Sequence, residues 1–357
     1  MASHHHHHHT HHPAHAQRIA GGASAGDASD SGSAGGGSAV AQRASVPVVT
    51  DVTSASPEEL EEALHYYGLD ALHYKLERTS GGVNNAVYYA RPNPGVKAEP
   101  VVVRIYRNGN NIARVLYEHA VLHALKAKAA MLPFEVPTPH PTKKTSRSMH
   151  DHPAMRGVDA HFFSTFHVMK SGTAAAVFKL VPGGPAPLSA AHNIGIATAH
   201  LVRALEDVII PPVIKSVNPL YRNLYEAHHR ITRKLFFERV QSAEFDNVRV
   251  HMDSLLARFH DAEALIGVIH QGGGLKEQVI NADLHFDNVL CEGDQVTGLL
   301  DFEFAARDWR VMELVVGLSK YAGLSSPMSV GTRAPSRTLS HCPENSLPPQ
   351  YPCPISS

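Results

Sequence analysis

The chain is poor in cysteine, has a single tryptophan and carries almost no net charge, and these scarcities exclude several kinds of protein. Of its three cysteines, Cys342 and Cys353 lie near the C-terminal end and Cys291 stands alone. So sparse and odd a set builds no disulfide framework and points to a reducing compartment. Lys and Arg number 32 against 33 Asp and Glu, a formal charge of -1. That balance leaves no basic excess to hold nucleic acid and no polybasic stripe for anionic lipid. An uninterrupted apolar run of about 18 residues, the length of a membrane span, is also missing.

Both ends lack apolar periodicity. Residues 1–45, rich in His, Ala, Gly and Ser, are expected to form a disordered leader, because they cannot bury enough surface to offset ordering entropy. Many of the 27 histidines fall there, in His4–His9, His11, His12 and His15. Met-Ala-Ser before a histidine run reads as an affinity tag or as a natural His-rich leader. Gln17–Arg43, with Asp27 and Asp30 as its only acids, has the composition of an organelle transit peptide. These readings stay open and place the protein in the cytoplasm or an organellar stroma. Residues 324–357 are expected to be a disordered tail, since Pro327, Pro335, Pro343, Pro348, Pro349, Pro352 and Pro354 interrupt any helix. Roughly 280 residues remain, enough for a bilobal enzyme with a real core.

Structure is expected to begin at Ser56-Pro57-Glu58-Glu59, a capping box with proline in the first turn. Leu60, Leu64 and Tyr67 share one face of that helix, and Gly68 ends it. Strand patterns follow at Tyr74–Arg78, Ala86–Ala90 and Val101–Tyr106, the first two separated by Ser80-Gly81-Gly82-Val83-Asn84-Asn85. From Ile112 to Leu125 the period becomes helical, with Glu118 inside the helix. Residues 139–172 read as an irregular insertion, and Ala174–Leu180 as a strand leading to a hinge at Val181-Pro182-Gly183-Gly184. Helices are expected over Ala190–Val208, Leu220–Val240, Val248–Gln271 and Val311–Tyr321. The order is that of an α+β protein: an N-terminal lobe (46–180) on an antiparallel sheet and a mainly helical C-terminal lobe (181–323).

The chemistry concentrates in Asn281-Ala282-Asp283-Leu284-His285-Phe286-Asp287-Asn288, a hairpin turning at Glu292-Gly293-Asp294, and Leu299-Leu300-Asp301-Phe302-Glu303. Phosphoryl transfer needs a carboxylate to orient and deprotonate the attacking hydroxyl, and hard oxygens for the magnesium that bridges the phosphates. Asp283 suits the first role; Asn288 and Asp301 suit the second. The hairpin would bring Asn288 and Asp301 to one end of a sheet.

These motifs resemble those of the aminoglycoside phosphotransferase and choline kinase superfamily, which has the protein-kinase fold. That family carries H-G-D-x-x-x-x-N, then D-x-[DE] after an apolar strand. The resemblance implies that Asp283 is the catalytic base, with Asn288 and Asp301 as magnesium ligands. It also implies ATP as phosphate donor and a small-molecule acceptor. Asn281 and Ala282 depart from the family's His and Gly, and Asn281 can replace His by hydrogen bonding. Leu299–Gly323, with D-F-E-F, D-W-R-x-M-E-L and L-S-K-Y-A-G, is similar to the homoserine-kinase-like phosphotransferases.

Upstream residues complete the picture. Gly81 and Gly82 let backbone N–H groups approach phosphate, with Asn84 beside them. Arg104 stands where kinases carry a phosphate-gripping Lys, and Glu118 is its expected partner. The hinge Phe178–Gly183 would pass the adenine. Trp309 either lines the acceptor pocket or packs the core, and His285 is either structural or an acceptor contact. The leading reading is an ATP- and magnesium-dependent kinase of a small hydroxylated or amino metabolite. Its rival is a catalytically weak pseudokinase that binds nucleotide or a partner. A protein kinase is disfavoured by the absence of H-R-D and A-P-E segments.

Overall fold

The computed structural model describes residues 54–79, 84–143, 147–228 and 230–322. The expected leader and tail and the pair Gly81–Gly82 lie outside the described residues. Helix α1 (Pro57–Tyr66) starts as its sequence requires: Ser56 Oγ accepts from Glu59 N and Glu59 Oε2 accepts from Ser56 N. The helix stops where Gly68 takes a positive φ of 68°. A five-stranded antiparallel sheet follows, ordered β1-β2-β3-β5-β4. Its strands are β1 (Tyr74–Arg78), β2 (Asn85–Pro92), β3 (Val101–Tyr106), β4 (His167–Val168) and β5 (Ala174–Lys179). Helix α2 (Ile112–Lys126) runs between β3 and a short helix α3 (Arg147–His150).

The alternation of side chains along a strand divides this sheet into two apolar faces. Val101, Val103, Ile105, Ala175 and Val177 face Leu60, Ala63, Leu64 and Tyr67 of the α1 segment. Ala174, Ala176 and Phe178 point the other way, into a larger core with α2 and the C-terminal lobe. Each fully buried Leu or Ile, such as Leu64, Ile105 or Leu125, stabilises by about 2 kcal/mol relative to exposure. Arg104 shares the phase of Val102 and Tyr106, so the strand period alone turns it toward α2.

Residues 139–172 are irregular, as expected, but they are packed into the core, not looped away from it. His140 N donates to Val177 O at 2.8 Å, and Met149, Met155, Phe163 and Phe166 are buried in the larger core. Their spacing follows neither a helical nor a strand period, because short turns carry them inward one at a time.

After β6 (Gly184–Pro185) the second lobe supplies α4 (Ala191–Leu205), α5 (Arg233–Val240) and α6 (Arg249–Gln271). It ends in β7 (Glu277–Ile280), β8 (Val289–Glu292), β9 (Gln295–Leu299), β10 (Ala306–Trp309) and α7 (Val311–Ala322). At the hinge Gly183 has φ 127°, and a Cβ there would collide with Thr297, whose hydroxyl donates to Pro182 O at 2.7 Å. The helix expected over Leu220–Val240 survives only as α5. Before it, Tyr221 N donates to Asp308 Oδ2 and Tyr221 OH to Ala282 O, both at 2.8 Å, while Arg222 pairs with Glu277. These bonds to the second lobe's strands and loops outweigh a modest local helix propensity.

Candidate active site

Strand β7 delivers the chain into a loop that begins with Asn281. Ala282 takes φ 66°, a left-handed conformation in which a Cβ is crowded. This explains why the corresponding motif usually has Gly. The loop is held from both sides. Asn281 N and Ala282 N donate to the Glu313 carboxylate of α7, at 2.5 and 3.1 Å. The Asn281 side chain accepts from Asp283 N at 2.9 Å and donates to Asp301 O at 3.0 Å. An asparagine therefore joins the Asp283 loop to the Asp301 loop, the hydrogen-bonding substitution expected for it.

Asn288 is tied to Asp283 directly. Its Nδ2 donates to Asp283 O at 2.8 Å and to Asp283 Oδ2 at 3.2 Å. With the amide nitrogen so committed, Oδ1 is the end left to meet a cation. Leu300 N donates to Asn288 O at 2.8 Å, so the β8–β9 hairpin sets Asn288 beside the Asp301 loop. Asp301 itself has φ 58°, and its Oδ1 accepts from Glu303 N at 3.4 Å. His285 fills the space between: its Nε2 is 3.5 Å from Asp283 Oδ1 and 3.3 Å from Asn288 Nδ2.

From the sheet, Arg104 Nη1 meets Glu118 Oε1 at 2.8 Å and stands 3.9 Å from Asp301 Oδ1. Burial pushes the Glu118 carboxyl up to about 7; Arg104 opposes this, and Asp301 and Glu303 add to it. Burial also raises Asp301, against the pull of Arg104 and with the push of Glu303 and Asp283. For Arg104 burial acts downward, yet Glu118 and Asp301 outweigh it and leave the guanidinium above its ordinary value. The site thus gathers more carboxylates than its one arginine neutralises.

Two observations test whether magnesium and a nucleotide fit these residues. Arg104 Nε and Glu118 Oε2 are buried without a hydrogen-bond partner, so the pair has bonding capacity to spare. Among the described residues no group of three His, Cys, Asp or Glu side chains could hold a metal alone. Magnesium is commonly held by one or two protein oxygens with phosphate and water completing the shell, which suits Asn288 and Asp301. The donor set fits.

Other expected residues fall differently. Asn84 Nδ2 donates to Glu303 Oε1 at 3.1 Å. Trp309 is buried at 1% exposure against His270, with Arg222 over its ring, so it packs the core. Glu303 and Glu313 carry contacts that sequence reasoning did not assign. Glu303 stands inside a recognised motif; Glu313 lies in an α7 pattern whose only signal was one acid among apolar residues.

A family model described as the phosphotransferase enzyme family, APH, matches residues 75–331. The chain is 31% identical over 167 residues to a homoserine kinase of Bradyrhizobium sp., which covers 46% of this chain and 45% of that protein. This chain thus matches slightly less than half the length of that curated relative. It is similar to the streptomycin–ATP ternary complex of APH(2'')-IIa, at 10% identity over 74% of this chain and 78% of that one, TM-score 0.39. It is also similar to the macrolide 2'-phosphotransferase MphH of Brachybacterium faecium, at 18% identity over 74% and 81%, TM-score 0.40. The arrangement is α+β, an antiparallel sheet followed by a mainly helical C-terminal part, as the motifs implied. Among the described residues no helix is long and apolar enough to cross a membrane. With residues 75–331 covered and one lobe's arginine meeting the other's acidic loops, this chain belongs to the APH phosphotransferase enzyme family.

Proposed function

We propose that the chain transfers the terminal phosphate of ATP to a hydroxyl of a small metabolite, with Asp283 as base. The observation that carries this reading is that Arg104 meets Asp301 and Asn288 meets Asp283, through contacts of 3.9 Å or less, and that Asn281 bonds the two pairs together. Asp283 would orient the acceptor hydroxyl and take its proton as the oxygen attacks phosphorus. Asn288 Oδ1 and the Asp301 carboxylate would hold magnesium, which would offset the negative charge that develops on the phosphates. Arg104, steadied by Glu118, would grip phosphate oxygens, a task suited to a forked and permanently charged group. Gly81 and Gly82 would let backbone N–H groups approach the same phosphates.

The two lobes are proposed to divide at about residue 180, nucleotide on the N-terminal side and acceptor chemistry on the C-terminal side. A homoserine-like acceptor is the finer proposal, supported by the partial likeness to a homoserine kinase. The compartment proposed is cytoplasm or organellar stroma, on the composition of the chain. The test is phosphate transfer from magnesium-ATP across a panel of amino acids, amino alcohols, sugars and aminoglycosides. Asp283→Asn is expected to lower turnover by about 10²–10⁴-fold, the usual worth of a positioned base, with nucleotide affinity within a few-fold. Nucleotide binding without transfer to any acceptor would favour the pseudokinase reading. Equal loss of binding and turnover in the variant would overturn the role given to Asp283.

A further inference from the structure

Glu303 sits at 3% exposure, far in sequence from the sheet it touches. Both carboxylate oxygens are occupied by consecutive asparagines at the start of β2: Asn84 Nδ2 to Oε1 at 3.1 Å, and Asn85 Nδ2 to Oε2 at 3.0 Å. Its backbone is occupied as well. Glu303 O accepts from Arg114 Nε of α2 at 3.3 Å and from Asn218 Nδ2 at 3.0 Å, and Arg114 lies 4.5 Å over the Phe304 ring. Glu303 N donates to Asp301 Oδ1.

Followed around, these contacts close a ring. Asp301 is bonded to Glu303, and Glu303 to Asn85. Asn85 Oδ1 accepts from Arg107 N at 3.1 Å and the residue pairs with Tyr106 across the β2–β3 ladder. Two residues back along β3 is Arg104, which faces Asp301 again. The spacing of the phosphate-gripping arginine from the metal carboxylate is thus held by a loop of hydrogen bonds that crosses between the lobes at Glu303, through Asn84 and Asn85 to its carboxylate, with Arg114 on its carbonyl beside them.

We propose that Glu303 is a positioning residue, not a magnesium ligand: it ties β2 to the Asp301 loop and sets the gap between Arg104 and Asp301. A carboxylate whose two oxygens already accept from neutral amides has less charge to offer a cation than Asp301, which faces the site with its side chain 24% exposed. Each amide donates toward an ionised group, the stronger class of hydrogen bond, so the tie resists being traded for a metal contact. The proposal rests on the phosphotransfer reading of this site.

Its test combines two measurements on Asn84→Ala, Asn85→Ala, Glu303→Gln and the pair Asn84→Ala/Glu303→Gln. The first is the thermal midpoint without nucleotide. Each single change is expected to lower it, and the pair to lower it by less than the sum of its two members, since the one amide oxygen of Gln can accept from only one of the two asparagines and without the charge. Fully additive shifts would overturn the tie. Asn84 is exposed, so its variant will fold even where changes at buried Asn85 or Glu303 do not. The second is affinity for the fluorescent analogue TNP-ATP, with magnesium and with EDTA, at a temperature where every variant is folded. Asn84→Ala and Glu303→Gln are expected to weaken binding by up to about tenfold, to the same degree in both conditions. Loss confined to magnesium for Glu303→Gln, with none for Asn84→Ala, would make Glu303 a metal ligand and overturn the proposal. Failure of the unaltered chain to bind TNP-ATP in either condition would sink the phosphotransfer reading and the nucleotide half of this proposal, while the midpoint comparison would still decide the tie.

Discussion

At the scale of single residues, Ala282 is where local cost and site geometry meet. A left-handed alanine is strained by about 1–2 kcal/mol. Glycine would relieve that strain but would lose about 0.8 kcal/mol of buried methyl and about 0.5 kcal/mol of chain entropy. Ala282→Gly should therefore be near neutral. The same change at Ala197, equally buried in α4, should cost about 2 kcal/mol from methyl burial and helix propensity together. Urea denaturation of the two variants checks this; equal losses would show that Ala282 is unstrained. Glu313 gives a pH prediction. Burial pushes its carboxyl up to about 7, against the bonds from Asn281 and Ala282 and with the push of Asp283. A raised carboxyl favours the folded state when protonated, so its contribution is full below about 4.5 and is lost as pH rises to about 7. The midpoint of the unaltered chain minus that of Glu313→Gln should fall from pH 5 to pH 8, with Glu118 and the histidines cancelling in the difference. A flat difference would refute it.

Among elements, α7 presents an apolar stripe to solvent. Val311, Leu314, Val315 and Leu318 recur at the spacing of one helical face and are 40–56% exposed, while Glu313 and Val316 point inward. Ser319 is exposed beside them. Leu314→Lys with Leu318→Lys should change stability by no more than about 0.5 kcal/mol each and should reduce binding of a hydrophobic dye. Unfolding of that variant would mean the face is covered in the protein. The elements also show what a sequence discloses. The capping box of α1, strands β1 and β3, and the bounds of α2 and α6 were legible within a residue or two, because cap chemistry and periodicity are local signals. Asp283, Asn288 and Asp301 were legible as a set because a hairpin of readable length joins them. Residues 220–232 were not, because bonds to Asp308, Ala282 and Glu277 override propensity there. Nor was the 139–172 segment, whose buried Met149 and Phe166 follow the shape of the core and no period of their own. Asn84 was read beside a phosphate loop; its partner Glu303 could be found only once both ends of the chain were folded together.

For the whole molecule, binding should be visible as stability. If Asp301 carries the cation, magnesium-ATP at a hundred times its dissociation constant should stabilise the fold by about 2.7 kcal/mol, or roughly 5–10 °C in midpoint. Asp301→Ala should abolish the part of that shift that EDTA removes, and Asn288→Ala should reduce it less, since an amide supplies only a dipole. A full magnesium-dependent shift in Asp301→Ala would refute the metal assignment. The tie between β2 and Glu303 also has a consequence for biosynthesis. Asn85 and its partner are separated by 218 residues, and the sheet's last strand ends at Lys179, so a ribosome adding about 5–20 residues per second finishes the sheet's strands roughly 6–25 s before Glu303 is made. During that interval the sheet can form with α1 and α2, but the Nδ2 groups of Asn84 and Asn85 lack Glu303 and turn to water. A chain arrested before Glu303 should thus carry a folded sheet whose Asn84 and Asn85 edge is open, and release of the last segment should close it.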